Sequence, residues 1–541
     1  MAGLATAYGS GAATNSIEGI RESDVIFVLG SNTSAQHPLV YARITAAHAR
    51  GAKLIVADPR ITPVAALADK HLRIKTGTNL ALINALMHVI LAEGLHNEAF
   101  IAERTENFAA LQESLAQCTP EWAEGITGIC AEDIRQTARL YAAGSSSVII
   151  YCMGVTQHVT GTRTCAALAN LTMLCGMVGR PSTGLMPLRG QNNVQGSCDM
   201  GALPETLPGY VAAGTALAEQ RFAPLWGNFA NTKGRKLTEI MAGMVDGSIR
   251  AAWVMGENPA QSDPDAASVM EGLGKLDFLV VQDLFLTPTA RMAHVVLPAA
   301  SYLEKQGTFT NTERRVQMVN EVLPPVEGSR ADWQILRDAI RALGGQADYT
   351  CPEDIFEEIK KLVPSYAGMS YARIAQAQGL CWPCPTPEHP GTPVLHSTSF
   401  TRGLGLFTVN TFTLDDMGEQ PCAEYPYLLI TGRESHQYHT GTMTRRSWAL
   451  DREFPEAFLD VHPDDALALK IKENWMVTIR SRRGSITARV RISRNVQPGT
   501  VFLPFHYAES SANVLTGHHY CDPVAGIPAL KMTAVAIEEK K

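Results

Sequence analysis

Asp24-Val25-Ile26-Phe27-Val28-Leu29-Gly30-Ser31-Asn32 and, one helical stretch later, Lys53-Leu54-Ile55-Val56-Ala57-Asp58-Pro59-Arg60 are the passages whose reading sets the fold. Each is a β-branched apolar run that stops in a polar turn, and residues 37–50 between them carry helical spacing and close at Gly51. Uninterrupted apolar runs of this length read as strands buried on both faces, the habit of parallel sheets sandwiched by helices. Outward from this unit the alternation continues: helical periodicity over 79–92 and 131–143, a strand over 147–153, and a buried helix over 160–176. Strand, turn, helix and strand at this spacing predict a doubly wound parallel sheet in residues 1–190.

A second α/β domain is expected over 191–305, with strands near 251–255 and 278–282. A connecting, largely helical region follows over 306–395, and Pro and Thr crowd together between Cys381 and Ser399 as in a linker. From 396 to 541 short strands dominate, at 427–431, 476–481, 485–492 and 500–503, and Arg483-Gly484 makes a hairpin turn. The expectation there is a small β-barrel. The fold class is therefore α/β, with two doubly wound domains of nucleotide-binding type and a C-terminal barrel.

Composition narrows the function. The 541 residues carry a formal net charge of −7 with no basic stripe, which argues against a nucleic-acid partner. No apolar run is long enough to span a bilayer, and the opening Met1-Ala2-Gly3-Leu4 lacks the order of a signal peptide. A cytoplasmic protein is expected, with an export signal upstream of Met1 left open. The 11 cysteines are odd in number and scattered, which favours reduced thiols over a disulfide framework. Cys381-Trp-Pro-Cys384 has the spacing of a redox or zinc pair but no second CxxC, and is read as two packed thiols in a loop.

In an open parallel sheet, ligands sit outside the carboxyl ends of the strands. Those ends carry Gly30-Ser31-Asn32, Asp58-Pro59-Arg60, Gly154-Val155-Thr156-Gln157, Gly256-Glu257-Asn258-Pro259 and Gln282-Asp283. Glycine admits close approach of a phosphate, and Asp58 is placed to accept hydrogen bonds from a ribose or a guanine edge. The two series predict two nucleotide-like groups, although Gly, Asn, Asp and Pro also gather at strand ends simply to make turns. GxGxxG after the first strand, GxxxxGK[ST] and HExxH are all absent, which sets aside classical NAD binding, P-loop phosphoryl transfer and zincin chemistry. The sharpest signal is the polar loop over 189–196, Arg-Gly-Gln-Asn-Asn-Val-Gln-Gly. Arg189 offers a permanently charged fork for a carboxylate, and Gln191 a donor two residues on; a surface arginine on a flexible loop is the alternative.

The segment 187–201, Pro-Leu-Arg-Gly-Gln-Asn-Asn-Val-Gln-Gly-Ser-Cys-Asp-Met-Gly, resembles the substrate-arginine motif of formate dehydrogenase alpha subunits in the molybdopterin oxidoreductase family. Further segments agree in order along the chain, among them 3–15, 56–60, 154–157, 256–259, 281–287, 431–433, 440–443 and 504–509. The resemblance implies two molybdopterin guanine dinucleotides around one molybdenum or tungsten ion, one held by each α/β region, with the barrel over both pterins. To the strand-end residues it adds His37, Gly77, Asn79, Thr287, Thr431, Gly432, Arg433, His439, Thr440, Gly441, Thr442, Met443, Asn513, Thr516 and Lys531 as cofactor-binding positions. Arg189 would hold the formate carboxylate and Gln191 would support it, while a hydride equivalent passes to the metal centre, carbon dioxide leaves and electrons exit through a [4Fe–4S] cluster. Expected partners are an electron-transfer subunit, iron–sulfur, NAD- or deazaflavin-linked, or a hydrogenase.

Family members carry four cluster cysteines, and a metal-ligating cysteine or selenocysteine followed by histidine, just ahead of the segment matching Met1–Leu4. The sequence contains neither, so no metal ligand is assigned within it. A selenocysteine codon upstream of Met1, read as a stop, is favoured over a natural truncation. The other readings are a nitrate reductase or formylmethanofuran dehydrogenase type of enzyme, and a non-catalytic cofactor- or partner-binding module.

Overall fold

A computed structural model describes residues 1–539, and the chain divides into two compact units. Met1–Gly190, Gln261–Ala267 and the chain from Val394 onward form the first; Gln191–Ala260 and Ser268–Pro393 form the second. No helix among the described residues is long and apolar enough to cross a membrane.

The first unit is built on Val25–Leu29 (β1), Lys53–Ala57 (β2), Lys70–Leu72 (β3), Ser147–Tyr151 (β4) and Gly184–Pro187 (β5). They lie in the order β3-β2-β1-β4-β5, and every neighbouring pair is parallel. All residues of β1 and β4 are buried, as their unbroken apolar runs require. Side-chain alternation divides them between two cores. Phe27, Leu29, Ile55 and Ile149 pack with Leu82, Ile134 and Leu168 of the helices on one face. Ile26, Val28, Val56 and Ile150 pack with Val40 and Ile44 of helix Pro38–Ala49 on the other. Each such aliphatic side chain stabilises the sheet by about 1.5–3 kcal/mol relative to exposure. The β4 strand ends at Tyr151, two residues earlier than its sequence suggests, because Met153 opens the short helix Met153–Thr156.

The strand order reverses between β1 and β4, and such a switch point opens a crevice beyond the carboxyl ends. Gly30 and Gly154 stand there.

The second unit holds a parallel sheet of Ala251–Met255 (β6), Phe278–Asp283 (β7) and Val295–Pro298 (β8), in the order β8-β7-β6. The run Val-Val-Leu-Pro of β8 was not anticipated; it is short, proline-ended and only partly buried, so periodicity carries little signal there. The region beginning near 306 opens with antiparallel strands Gly307–Thr310 (β9) and Arg315–Val319 (β10), paired to Leu380–Cys381 (β11), before helices Asp332–Ala342 and Pro352–Leu362. It is not helical throughout.

Two further expectations are corrected here. The polar loop over 189–196 does not stay irregular: Asn193, at φ 59°, leads into helix Val194–Asp199, and its Oδ1 accepts from the Thr310 amide at 2.9 Å. The Pro- and Thr-rich stretch from Cys381 is not a loose linker. Cys381, Trp382 and Cys384 are buried, and the fully buried Arg314 donates to the carbonyls of Trp382, Thr392 (2.8 Å) and Pro393 (3.0 Å). Irregular backbone can be buried once its carbonyls find donors. Both thiols of the CxxC are free and packed, as expected.

The first unit also contains the barrel, formed by Tyr427–Gly432 (β12), Phe458–Val461 (β13), Met476–Arg480 (β14), Ser485–Ile492 (β15), Thr500–Pro504 (β16) and Thr533–Glu539 (β17). It closes in the order β12-β16-β13-β15-β14-β17 around Leu429, Leu459, Val477, Val490, Val501 and Val535. The β14–β15 hairpin turns at Arg483-Gly484, where the Ser481 amide donates to the Gly484 carbonyl at 2.9 Å. Closure places the last strand beside the first and removes the exposed sheet edges.

Candidate functional site

At the switch point the turns after β1 and β4 touch. The Gly154 amide donates to the Gly30 carbonyl at 3.0 Å. Gly30 has φ +51°, and a Cβ on it would lie 2.5 Å from the Gly154 carbonyl carbon; a Cβ on Gly154 would lie 2.6 Å from the Gly30 Cα. Only glycine fits at either position, since what a side chain meets is backbone.

Above this contact opens a cleft lined by strand ends and by the barrel. The strand ends supply Gly30, Asn32, Asp58, Pro59, Arg60 and Gly154, and the helix that starts at Asn79 adds Gly77 and Asn79. The barrel contributes Thr431 and Gly432 from the end of β12, together with Lys531. Eleven positions named from sequence thus converge in one cleft. Gln36, Thr62, Thr76, Met153 and His158 line it as well and were missed; a lone histidine before an apolar helix has no spacing signal.

The charges in this cleft are unusual. Asp58 is buried, which pushes its carboxyl upward, while the Arg60 amide, 2.9 Å from Oδ1, pulls it back. The Arg60 guanidinium lies 3.3 Å from the Phe502 ring centroid, with Asp460 at 4.0 Å. Lys531 donates to the Thr431 carbonyl at 2.7 Å, and desolvation lowers its ammonium to about 8. His158 is lowered to about 4 by burial and by the nearby Lys531. It is therefore neutral at pH 7, and its contact to the Gly154 carbonyl (3.1 Å) assigns the proton to Nε2 and leaves Nδ1 as an acceptor.

Other named residues lie outside the cleft lining. His37 is bonded through Nε2 to the Arg189 carbonyl at 2.6 Å, and Arg189 Nη2 donates to the Gly11 carbonyl at 3.2 Å. Val155 is buried, and Thr156 and Gln157 close the short helix after β4. Arg433 donates to the Gln437 carbonyl at 3.2 Å and faces the Tyr438 ring. The His439 carbonyl meets His506 Nδ1 at 2.5 Å, Thr440 and Thr442 join hydroxyls at 2.8 Å, Gly441 has φ +70°, and Met443 is exposed. Asn513 and Thr516 do structural work. Asn513 Nδ2 donates to the carbonyls of Gln261 (3.0 Å) and Ser262 (2.7 Å), and its Oδ1 accepts from Thr516 at 2.9 Å.

In the second unit Gly256, at φ +63°, donates to the Gln282 carbonyl at 2.8 Å and leads into Glu257, Asn258 and Pro259. Asn258 Oδ1 accepts from the Thr289 hydroxyl at 2.8 Å, and Thr287 caps helix Pro288–Arg291. Asp283 Oδ1 accepts from the Leu284 amide at 2.6 Å. Gln191 opens this unit and is partly buried.

What the first unit's cleft can hold follows from its unsatisfied atoms. Arg60 Nε and His158 Nδ1 are buried and have no hydrogen-bond partner. Such atoms are rare unless a ligand or water completes them. The Arg60 donor suits a phosphate oxygen; the His158 acceptor suits an N–H on a heterocycle. The donor set fits a nucleotide-bearing cofactor. Asp58→Ala should therefore lower the cofactor content of the purified protein several-fold, which phosphate and pterin analysis would read; full loading would remove Asp58 from the site. Lys531 gives a pH signature. Its folded-state pKa lies near 8 against about 10.4 when unfolded, so between those values the unfolded chain binds the extra proton. Stability of the cofactor-free protein then rises with pH across that window. Thermal melts from pH 7 to 10 should show the rise, and Lys531→Met should flatten it.

A switch-point cleft whose lining suits a nucleotide-bearing cofactor, a second parallel sheet and a closed barrel point to the class of cofactor-binding α/β proteins. Residues 3–342 match the family model described as molybdopterin oxidoreductase and 427–534 the molydopterin dinucleotide binding domain; the chain belongs to the molybdopterin oxidoreductase family, and a molybdopterin dinucleotide is its cofactor. It is 45% identical over 542 residues to the F420-dependent formate dehydrogenase subunit alpha of Methanocaldococcus jannaschii, covering 99% of this chain and 80% of the relative. To the F420-dependent formate dehydrogenase 1 subunit alpha of Methanococcus maripaludis it is 43% identical over 542 residues, with 100% and 80% covered. The solved acetylene hydratase of Pelobacter acetylenicus shares the fold at a TM-score of 0.79 and 19% identity, over 100% of this chain and 80% of that one.

Proposed function

We propose that the chain is a formate dehydrogenase catalytic subunit, which takes formate to carbon dioxide and passes two electrons to an iron–sulfur relay. The observation that carries this reading is the seat of Arg189. Its backbone carbonyl is held by the His37 ring at 2.6 Å and its guanidinium is aimed at Gly11. A Cβ on Gly11 would in turn lie 3.0 Å from the Met1 Cβ. The side chain thus faces the first residues of the chain.

Bound, a bis-molybdopterin guanine dinucleotide with molybdenum or tungsten supplies a two-electron acceptor. The residues of this chain hold and orient. Arg189 receives the formate carboxylate as a charge-assisted fork, Gln191 donates from two residues on, and fixing the anion turns a bimolecular encounter into a positioned one. The net change breaks the formate C–H bond, removes both electrons from carbon and releases a proton and carbon dioxide. Asp58, Arg60, His158 and Lys531 belong to cofactor binding on this reading, as do the Gly256–Asn258 turn and Thr287 in the second unit. A [4Fe–4S] cluster and an electron-transfer subunit complete the path on this reading.

The test is turnover by the subunit purified from its own cells. Formate-dependent reduction of a viologen dye without nitrate reduction supports the reading. Nitrate reduction without formate oxidation would replace it with the nitrate reductase type.

A further inference from the structure

Asp199 is a buried acid that the proposed reaction does not use. It is the last residue of helix Val194–Asp199, and four donors converge on its two oxygens. Gln195 Nε2 (2.8 Å) and the Tyr210 hydroxyl (2.6 Å) reach Oδ1. The Tyr366 hydroxyl (2.6 Å) and Trp382 Nε1 (2.7 Å) reach Oδ2. Burial pushes the carboxyl upward and these donors pull it back. Two donors on each oxygen suit the carboxylate form, which has acceptors only.

From Tyr366 the network runs on to the start of the same helix. The Tyr366 hydroxyl lies 3.2 Å from the Thr310 hydroxyl, and the Thr310 amide donates to Asn193 Oδ1 at 2.9 Å. Asn193 opens the helix at φ 59°, in the left-handed region that asparagine tolerates. Gly196 leaves room for its side chain, since a Cβ there would fall 2.2 Å from Asn193 Oδ1. One relay of hydrogen bonds thus ties the helix at both ends, at Asp199 and at Asn193. Tyr366 is fixed in turn by its ring, which meets Phe356 edge-on at a centroid distance of 6.3 Å. Gln191, the proposed formate donor, stands two residues ahead of Asn193.

We infer that Asp199 and Tyr366 are positioning residues, which hold Asn193 through Thr310 so that Gln191 is presented to formate in one orientation. The inference rests on the function proposed above. Asp199 and Tyr366 act through Asn193 and not on the substrate. A buried, fully bonded anchor suits this task, because a substrate-holding group that wanders by about an ångström loses much of its effect.

A double-mutant cycle in the subunit purified from its own cells tests the relay. Tyr366→Phe keeps the buried ring and removes the relay's hydroxyl. Asn193→Gly keeps the positive φ and removes the acceptor. Each should lower kcat/KM for formate about tenfold, and the double variant should lose no more than either alone. Amide exchange over residues 191–196, followed by mass spectrometry, should quicken about tenfold in Tyr366→Phe while that of β7 stays as it was. Thr310→Val breaks the same relay one link on and replaces Tyr366→Phe if that variant does not fold. Losses that multiply in the double variant would overturn the inference, as would unchanged exchange over 191–196. A wild-type subunit that reduces nitrate and leaves formate untouched would refute the proposed function instead, and the exchange measurement then decides the relay by itself.

Discussion

Arg189→Ala in the native subunit is expected to lower kcat/KM for formate about a thousandfold, the equivalent of about 4 kcal/mol. Removing one partner of a desolvated, hydrogen-bonded charge pair costs about 2–5 kcal/mol, much of it from the charge left alone. On the proposed function the abandoned charge is the formate carboxylate, so the loss is expected on substrate binding and alignment together. Arg189→Lys retains the charge and loses the two-pronged geometry, and should recover part of the activity. Pterin content should stay near normal in both variants, because Arg189 does not line the cleft that gathers Asp58, Arg60 and Lys531. Dye reduction against formate concentration, with pterin released and quantified in parallel, reads both quantities. Unchanged turnover would take Arg189 out of the mechanism.

Gly154→Val should have the largest structural effect. Its Cβ would fall 2.6 Å from the Gly30 Cα and 2.7 Å from the Gly30 carbonyl oxygen. Those atoms are backbone at the end of β1, which is buried along its whole length and cannot shift without disturbing both cores. Overpacking of this kind costs about 1–3 kcal/mol where side chains yield, and more where they cannot. The expected outcome is a lower Tm and little or no bound cofactor, since the same turns frame the cleft. Gly125→Ala is the matched control: it lies within helix Pro120–Thr127, and a Cβ there meets nothing within 4 Å. It should leave Tm unchanged or slightly raised. Equal behaviour of the two variants would refute the close-approach argument.

The cleft was legible in part because strand ends are a local property. An apolar run, its last residue and the turn after it can be read in a dozen letters, and Gly30, Asn32, Asp58 and Gly154 were found this way. Thr431 and Lys531 came by resemblance alone. Nothing in the spacing of residues 58 and 531 says that they share a wall, which depends on how the barrel's β12 meets the sheet within one unit. His158 was invisible for a related reason: its importance lies in an unpartnered Nδ1, and partners are not written in sequence. Asn513 and Thr516 show the reverse error, since polar residues beside a presumed site turn out to hold the segment at Gln261–Ser262 in place.

The sequence by itself determined the alternation of strands and helices, the parallel burial of β1, β2 and β4, the β-rich tail and the identity of the strand-end turns. These follow from side-chain period and turn chemistry, which act over a few residues. The tertiary structure alone decided which distant residues meet. It sank Asp199 among donors from Gln195, Tyr210, Tyr366 and Trp382, at 2.6–2.8 Å, and so converted an expected loop into an anchored helix. It buried Arg314 in a ring of carbonyls inside a stretch that reads as a linker. Such contacts join residues far apart in the chain, and they are fixed by the packing of whole elements against one another rather than by the order of residues within any one of them.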